Sequence, residues 1–299
     1  LEFFNYRTIR KIGLIAQLPL LALVIYRLIK NNRPLLAFAY VVSYLTLSVK
    51  ALGYCLQYWP CTFIALIASI AVISLYERNR LTPDTIAVLF AITGATTNYF
   101  DFLTFPIITL GLPLTLALAL IFHKAKFKKL VECFICPSIS WAYSYGLMWF
   151  MKWTIATLTT GRNIFIEAFK AAEIRSGIAN DQVISYGAVL KDNFNQFSNN
   201  PMTTVILITT TVTIIALCVG IYAKVNNPSI KMTKVLVFAL TASLVFIWYR
   251  ALLQHSFIHR FMVNRDCIVI MASILMGCAT MIETLTRASI CIRRKDDNA

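Results

Sequence analysis

Ionisable side chains are concentrated in one short stretch of this 299-residue chain, ALLQHSFIHRFMVNRD at residues 251–266. His255 and His259 are four positions apart, so a helix through this stretch carries both imidazoles on one face. That spacing suits a divalent metal ion, which is the only cofactor that the sequence offers. However, the pair lacks the following Glu of zinc proteases and a third ligand nearby. The pair is more typical of donors that contact an anion, or of histidines hydrogen-bonded to a neighbouring loop.

Arginines surround the two histidines. Arg250, Arg260 and Arg265 each carry a planar guanidinium group, whose fork of donors matches the oxygens of a phosphate. The alternative is that these side chains extend toward lipid head groups and only anchor the chain in the membrane. Asp266 would neutralise Arg265, or Arg260 from a nearby turn.

A second polar position interrupts the apolar segment TTNYFDFLTFPIITLGLPL at residues 96–114. Its carboxylate, Asp101, is a candidate general base or a group that orients a substrate hydroxyl. Equally, Asp101 would cap the following helix or pair with a basic residue. Pro106 and Pro113 predict a kinked or interrupted helix after it, because each proline removes one backbone donor.

Aromatic residues are dense in WAYSYGLMWFMKW at residues 141–153. Trp and Tyr at a membrane boundary ordinarily form an interfacial belt. The sharper interpretation is that Trp149 and Trp153, with Tyr99 from the preceding segment, stack on the sugar ring of a substrate. Lys152 would then belong to the anion site.

Composition shows what kind of scaffold must position these groups. The chain is 59% hydrophobic and only 14% charged, whereas ordinary soluble domains carry about 25% charged residues. Apolar runs long enough to cross a bilayer as helices recur along the chain. The sequence therefore predicts an all-α fold, a polytopic transmembrane helical bundle of about nine spans. The spans are approximately 12–29, 35–54, 61–76, 83–99, 104–122, 131–152, 203–223, 234–251 and 267–286.

The basic residues predict an orientation in the cell membrane. With the C-terminus in the cytoplasm, the clusters around Lys124 and Arg293 fall on the cytoplasmic side, where Lys and Arg are retained. The net charge of +15 then reflects attraction to anionic lipids rather than nucleic-acid binding. The N-terminus lies outside, so we expect that residues 1–299, a single transmembrane domain, lack a preceding span and loop. The 157–202 segment is an external loop whose amphipathic helix forms a lid over a cavity or a rigid connector.

Three segments carry a resemblance to a known family: TTNYFDFLTFPIITLGLPL, YSYGLMWFMKWTIATLTTG and QHSFIHRFMVNRD. In the same order they resemble the YFDFLT, GYxxMWxxKW and HSxxHxxFxxR segments of an uncharacterised family of bacterial multi-pass membrane proteins. The architecture of that family is in turn similar to the GT-C glycosyltransferases, which use polyprenyl-phosphate sugars at the external membrane face. GT-C enzymes generally carry a catalytic acid in a first external loop, and this sequence begins beyond the corresponding position.

The resemblance implies a site at the external face that holds a lipid-linked phosphate. Its cationic members are Lys152, Arg250, His255, His259, Arg260 and Arg265. Asp101 is the candidate catalytic residue, and the partners are membrane lipids and a polyprenyl-phosphate-linked sugar. The function expected first is glycosyl transfer for cell-envelope glycan synthesis. The rivals are a transporter or flippase of envelope lipid intermediates and a non-catalytic envelope-assembly protein, and the sequence leaves the oligomeric state undetermined.

Overall fold

The computed structural model describes residues 5–47, 55–101, 103–178, 184–199 and 232–296, and within these ranges the chain is helical and contains no strand. Short 3₁₀ turns precede three of the helices, at Leu56–Tyr58, Met232–Val235 and Asn264–Cys267. The described helices are α1 (Tyr6–Lys30), α2 (Pro34–Leu45), α3 (Trp59–Glu77), α4 (Pro83–Phe100), α5 (Ile107–Ile121), α6 (Phe127–Thr160), α7 (Ile164–Ser176), α8 (Tyr186–Ser198), α9 (Leu236–Ala251), α10 (Leu253–Ile258), α11 (Arg260–Val263) and α12 (Ile268–Asp296).

Among the described residues, three helical stretches are long and apolar enough to cross a membrane: Thr8–Lys30, Leu56–Glu77 and Arg260–Thr284. Three shorter apolar helices, α2, α5 and α9, accompany them. Within the described residues, an all-helical fold with helices that could span a membrane is therefore confirmed, while the number nine stays a prediction. The predicted 203–223 span lies outside the described residues, and within the predicted 35–54 span the described helix ends at Leu45.

Helix α5 is the centre of the bundle, because all of its residues from Ile107 to Ile121 are buried. A helix that is apolar on every face is stable only when other helices surround it, and α3, α9 and α12 pack around α5. Pro113 lies inside α5, which begins directly after Pro106. Gly111 allows α12 to approach closely, since a Cβ there would lie 2.3 Å from Val269 Cγ1.

The packing of α6 against α4 brings the aromatic segment of residues 141–153 to the carboxyl end of α4. Helix α6 runs for 34 residues and packs against α4. Gly94 makes this approach possible, because a Cβ at that position would lie only 2.3 Å from the backbone oxygen of Trp141. The two helices thus hold the carboxyl end of α4, with Asp101, beside residues 145–153 of α6.

A buried ion pair closes the opposite end of the bundle. Arg33, in the turn between α1 and α2, is 1% exposed, and its Nε lies 2.5 Å from Glu283 Oε2 on α12. The same guanidinium donates to the Ala119 carbonyl of α5 at 2.8 Å. Glu283 Oε1 accepts from the Leu36 amide at 3.2 Å. One ion pair therefore joins α2, α5 and α12.

The polar 251–266 stretch follows α9 and forms two short helices, α10 and α11. Helix α9 ends at Ala251, and Leu252 has φ −119° and ψ 57°. A second break follows at His259, with φ −97° and ψ 26°. The 157–202 loop also contains more structure than the one predicted amphipathic helix, because the polar sequence around Asn195 belongs to α8.

Candidate functional site

A cavity of about 580 Å³ opens between α6, α7, the end of α9 and the loop that precedes α5. Its walls are mainly apolar and aromatic, and two charged side chains, Glu167 and Arg175, line it while remaining exposed to solvent. Cavities of this size with apolar walls and few polar groups are typical of small-molecule and cofactor sites. Among the lining residues are Leu103, Tyr145, Trp149 and Trp153.

The aromatic wall is built by successive turns of α6. The rings of Trp149 and Trp153 lie 6.0 Å apart at an angle of 40°, and Phe165 of α7 meets Trp153 edge-on at 6.0 Å. Gly161 ends α6 with φ 67°, in the left-handed region that glycine tolerates best. This turn reverses the chain, so that α7 packs across from the aromatic residues of α6 and forms another wall of the cavity. Trp149 and Trp153, which we predicted as stacking residues, therefore line a cavity together.

The loop below the cavity is held by Asp101. This carboxylate is 3% exposed and accepts hydrogen bonds from the Thr104 amide at 3.1 and 3.2 Å and from the Thr104 hydroxyl. Burial raises the pKa of Asp101, and the hydrogen bonds from Thr104 oppose this rise. Asp101 thus organises the turn between α4 and α5, and its oxygens face that turn rather than the cavity.

His255 holds the same loop through a further hydrogen bond. Its Nε2 lies 2.8 Å from the Leu103 carbonyl oxygen. Because a carbonyl only accepts, Nε2 carries the proton and Nδ1 is left as an acceptor. Leu103 has φ 64°, an unfavourable conformation for a residue with a branched side chain. The hydrogen bond from His255 therefore stabilises a strained backbone at the floor of the cavity.

Burial, together with the nearby His259 and Arg175, lowers the pKa of His255 from 6.5 to about 4, although the hydrogen bond to the Leu103 carbonyl opposes the shift. The imidazole is 8% exposed, and the ring of His259 lies 4.6 Å from it. His255 is therefore neutral near pH 7 and acts as a hydrogen-bond donor, which differs from a cationic phosphate ligand.

We expect the free energy of unfolding to fall by on the order of 2–3 kcal/mol between pH 6.5 and pH 4 because of His255. The unfolded chain takes up the proton near 6.5, whereas the folded protein resists it until about pH 4. The unfolded state is thus favoured as the pH drops through this window. Denaturant titrations at several pH values measure the effect as the difference between wild type and His255→Gln. If the free energy of unfolding depended on pH in the same way in both proteins, the low pKa assigned to His255 would be contradicted.

Lys152 lies at the carboxyl end of α4. Its Nζ donates to the Asn98 carbonyl at 2.6 Å and lies 5.8 Å from the centre of the Tyr99 ring and 5.3 Å from that of Trp149. A cation at the negative end of a helix dipole is stabilising. Lys152, Tyr99, Asp101 and His255 are thus all brought to the same end of the bundle.

The three arginines have separate partners. Arg260 forms an ion pair with Asp192 of α8 at 3.4 Å, and the guanidinium of Arg265 stacks 4.1 Å above the Tyr58 ring. Arg250 is exposed and lines a neighbouring cavity of about 610 Å³, together with Tyr186. The described contacts therefore do not bring the three guanidinium groups to a single phosphate.

Asp266 also differs from the expected pairing with an arginine. It is fully buried and lies beside the first amide of α5 and near Asp101. Neither of its oxygens has a hydrogen bond of normal geometry within the described residues. The same holds for the buried hydroxyl of Tyr145, which lies near both carboxylates. Two buried acids and a tyrosine hydroxyl thus form a polar cluster beneath the cavity.

The described ranges contain no group of three or more His, Cys, Asp or Glu side chains arranged to hold a metal. Two residues that line the cavity, Glu167 and Arg175, were not among the predicted site residues, because charged side chains on an amphipathic helix ordinarily only face water. Their eight-residue spacing puts them about 80° apart around the helix axis, so periodicity gave no signal that they share a site. Compared with known proteins, the chain matches no family model, no curated protein and no solved structure.

Proposed function

We propose that the protein is a membrane glycosyltransferase that binds a polyprenyl-phosphate-linked sugar in the cavity beneath α7. The observation that carries this proposal is the lining of the cavity, in which a wall of indole rings faces a guanidinium and a carboxylate. An amphiphile with an isoprenoid chain, a phosphate and a sugar has groups that match each of these surfaces. Aromatic faces suit the sugar or the isoprenoid, and the guanidinium fork suits the phosphate.

In this proposal, the charged residues of the cavity have separate roles. Arg175 binds the phosphate, which departs with the polyprenyl chain when its bond to the anomeric carbon breaks. Glu167 accepts the proton of the acceptor hydroxyl as that oxygen forms the new glycosidic bond. Glu167 is better placed for this step than Asp101, whose oxygens are engaged by Thr104. Asp101 and His255 act by fixing the backbone of Leu103 at the floor of the cavity.

Binding of undecaprenyl phosphate to the purified full chain tests the site without knowledge of the donor sugar. We expect Arg175→Gln to weaken binding about tenfold, as for the loss of one charge-assisted contact of about 1.4 kcal/mol. Quenching of tryptophan fluorescence reports binding, because Trp149 and Trp153 line the cavity.

Lys170→Gln is the matched control for this experiment. It removes one positive charge from the same helix at an exposed position that does not line the cavity. Equal weakening in both variants would indicate general attraction between a basic surface and the lipid, and would remove the cavity from the proposal. Wild-type affinity in Arg175→Gln would remove Arg175 from the site.

A lipid transporter is the second candidate, and the buried carboxylate of Asp266 favours it. Ionisable groups buried within membrane helices commonly mark ion or proton pathways, and Asp266 has a second carboxylate, Asp101, nearby. Proteoliposomes separate the two functions. Movement of labelled lipid-linked sugar between leaflets without release of polyprenyl phosphate would support transport, whereas release of polyprenyl phosphate would support transfer.

A further inference from the structure

A second, basic cavity of about 330 Å³ lies at the end of the bundle opposite to the first one. It lies between the turn that joins α3 to α4 and the turn that joins α5 to α6. Helix α4 separates the two ends by 18 residues, which corresponds to about 27 Å. The basic cavity therefore opens at the other face of the membrane. Its lining residues are Tyr76, Asn79, Leu81, Ile121, Lys124, Ala125, Lys126 and Lys129.

The basic cavity gathers positive charge without compensation from an acidic side chain. Three lysines line it, and its described lining contains no carboxylate. Of the acids nearest in sequence, Asp84 in the first turn of α4 is exposed and does not line the cavity, and the other two are engaged elsewhere. Glu77 accepts hydrogen bonds from Arg27 and Asn31, and Glu132 pairs with Lys128. Three ammonium groups around one small cavity repel each other, so an anion between them would be stabilising.

The start of α6 adds to this positive potential. Lys126 is the N-cap residue of this helix, no side chain caps its amides, and the first turn contains no acidic residue. The positive end of a helix dipole favours negative side chains, yet the sequence KFKK puts only basic ones there. The basic residues thus lie at the helix end that favours negative charge. Such an arrangement is expected where an anionic ligand supplies that negative charge.

We propose that this basic cavity binds a phosphate group, presented by the head group of an anionic phospholipid. The lysines would contact the phosphate oxygens, and the apolar wall of Leu81, Ile121 and Ala125 would contact the glycerol backbone and the first methylenes of the acyl chains. Basic pockets between membrane helices bind anionic head groups in this way. Free phosphate offers the same oxygens but no apolar part, so the two sources differ in affinity.

A titration of the full chain in neutral detergent tests the proposal. The probes are dioctanoyl phosphatidylglycerol, dioctanoyl phosphatidylcholine as a zwitterionic lipid of equal chain length, and inorganic phosphate, with bound lipid counted by native mass spectrometry. We expect Lys129→Gln to weaken phosphatidylglycerol binding about fivefold, the effect of one lysine near an anionic head group. Lys126→Gln provides a second variant with the same expected loss.

Lys128→Gln is the matched control, because it removes the same charge from the neighbouring residue. The Lys128 side chain is 90% exposed and pairs with Glu132 at 3.9 Å, and it does not line the basic cavity. Its affinity should stay within about twofold of wild type. Equal losses in the Lys128 and Lys129 variants, or equal binding of the two lipids by wild type, would overturn the proposal. Displacement of phosphatidylglycerol by millimolar inorganic phosphate would identify free phosphate as the source, with the site retained.

Discussion

Replacing Glu167 with Gln is expected to lower the rate of sugar transfer about 100-fold or more, while binding of undecaprenyl phosphate stays within twofold of wild type. The amide keeps the size of the side chain but does not accept the proton of the acceptor hydroxyl. Release of polyprenyl phosphate from a panel of radiolabelled polyprenyl-phosphate hexoses, in proteoliposomes with a membrane-lipid acceptor, measures the rate. The split between rate and binding separates loss of a base from damage to the cavity.

Glu173→Gln is the control for this prediction. It removes the same charge from the same helix, at an exposed position that does not line the cavity. Asp101→Asn tests the other assignment of the base. If Asp101→Asn stops transfer in a protein of wild-type stability, while Glu167→Gln remains active, the base is Asp101 and the cavity must rearrange to expose it.

Replacing Arg33 with Met is expected to lower the free energy of unfolding by about 3–5 kcal/mol, because it leaves the buried Glu283 carboxylate without its partner. The pair lies in the bundle at 2% and 9% side-chain exposure, where water does not compensate an isolated charge. Denaturant unfolding in mixed micelles, followed by far-ultraviolet circular dichroism, measures the loss.

The exposed pair of Lys128 and Glu132 provides the comparison. Lys128→Met breaks an ion pair whose side chains are 90% and 45% exposed, and such surface pairs contribute about 0–1 kcal/mol. The double variant Arg33→Met with Glu283→Leu should recover most of the loss, since it removes both charges together. Comparable destabilisation by Arg33→Met and Lys128→Met would show that the buried pair is not essential to the bundle.

The helical class of the protein and the positions of its apolar segments could be predicted from local sequence. Long apolar runs with few charges have one stable solution in a bilayer, the helix, because its backbone groups bond within the segment. The predicted 61–76 and 83–99 spans accordingly correspond to α3 and α4, and the 104–122 span to α5. The interruption that Pro106 and Pro113 suggested is absent, since α5 begins after the first proline and continues through the second, whereas a kink at Pro113 stays a prediction.

The pairing of polar groups was much less accessible to sequence reasoning. Arg260 had Asp266 six residues away, yet its partner is Asp192, 68 residues distant and on another helix. Asp266 instead turns into the bundle, and Arg265 stacks on Tyr58. The breaks at Leu252 and His259 redirect these side chains, and neither residue is a glycine or a proline that would have marked a break.

Local sequence was enough to predict helices that could span a membrane, with polar residues gathered at their ends, because the cost of exposing charge to hydrocarbon acts on each segment separately. Which of those residues share a site depends on contacts between distant segments. Helix α7 folds back over α6 and turns Glu167 and Arg175 toward the indole rings, while His255 reaches the Leu103 carbonyl across 152 residues of chain. Such contacts join segments that are far apart in the sequence, so no periodic pattern within one segment predicts them.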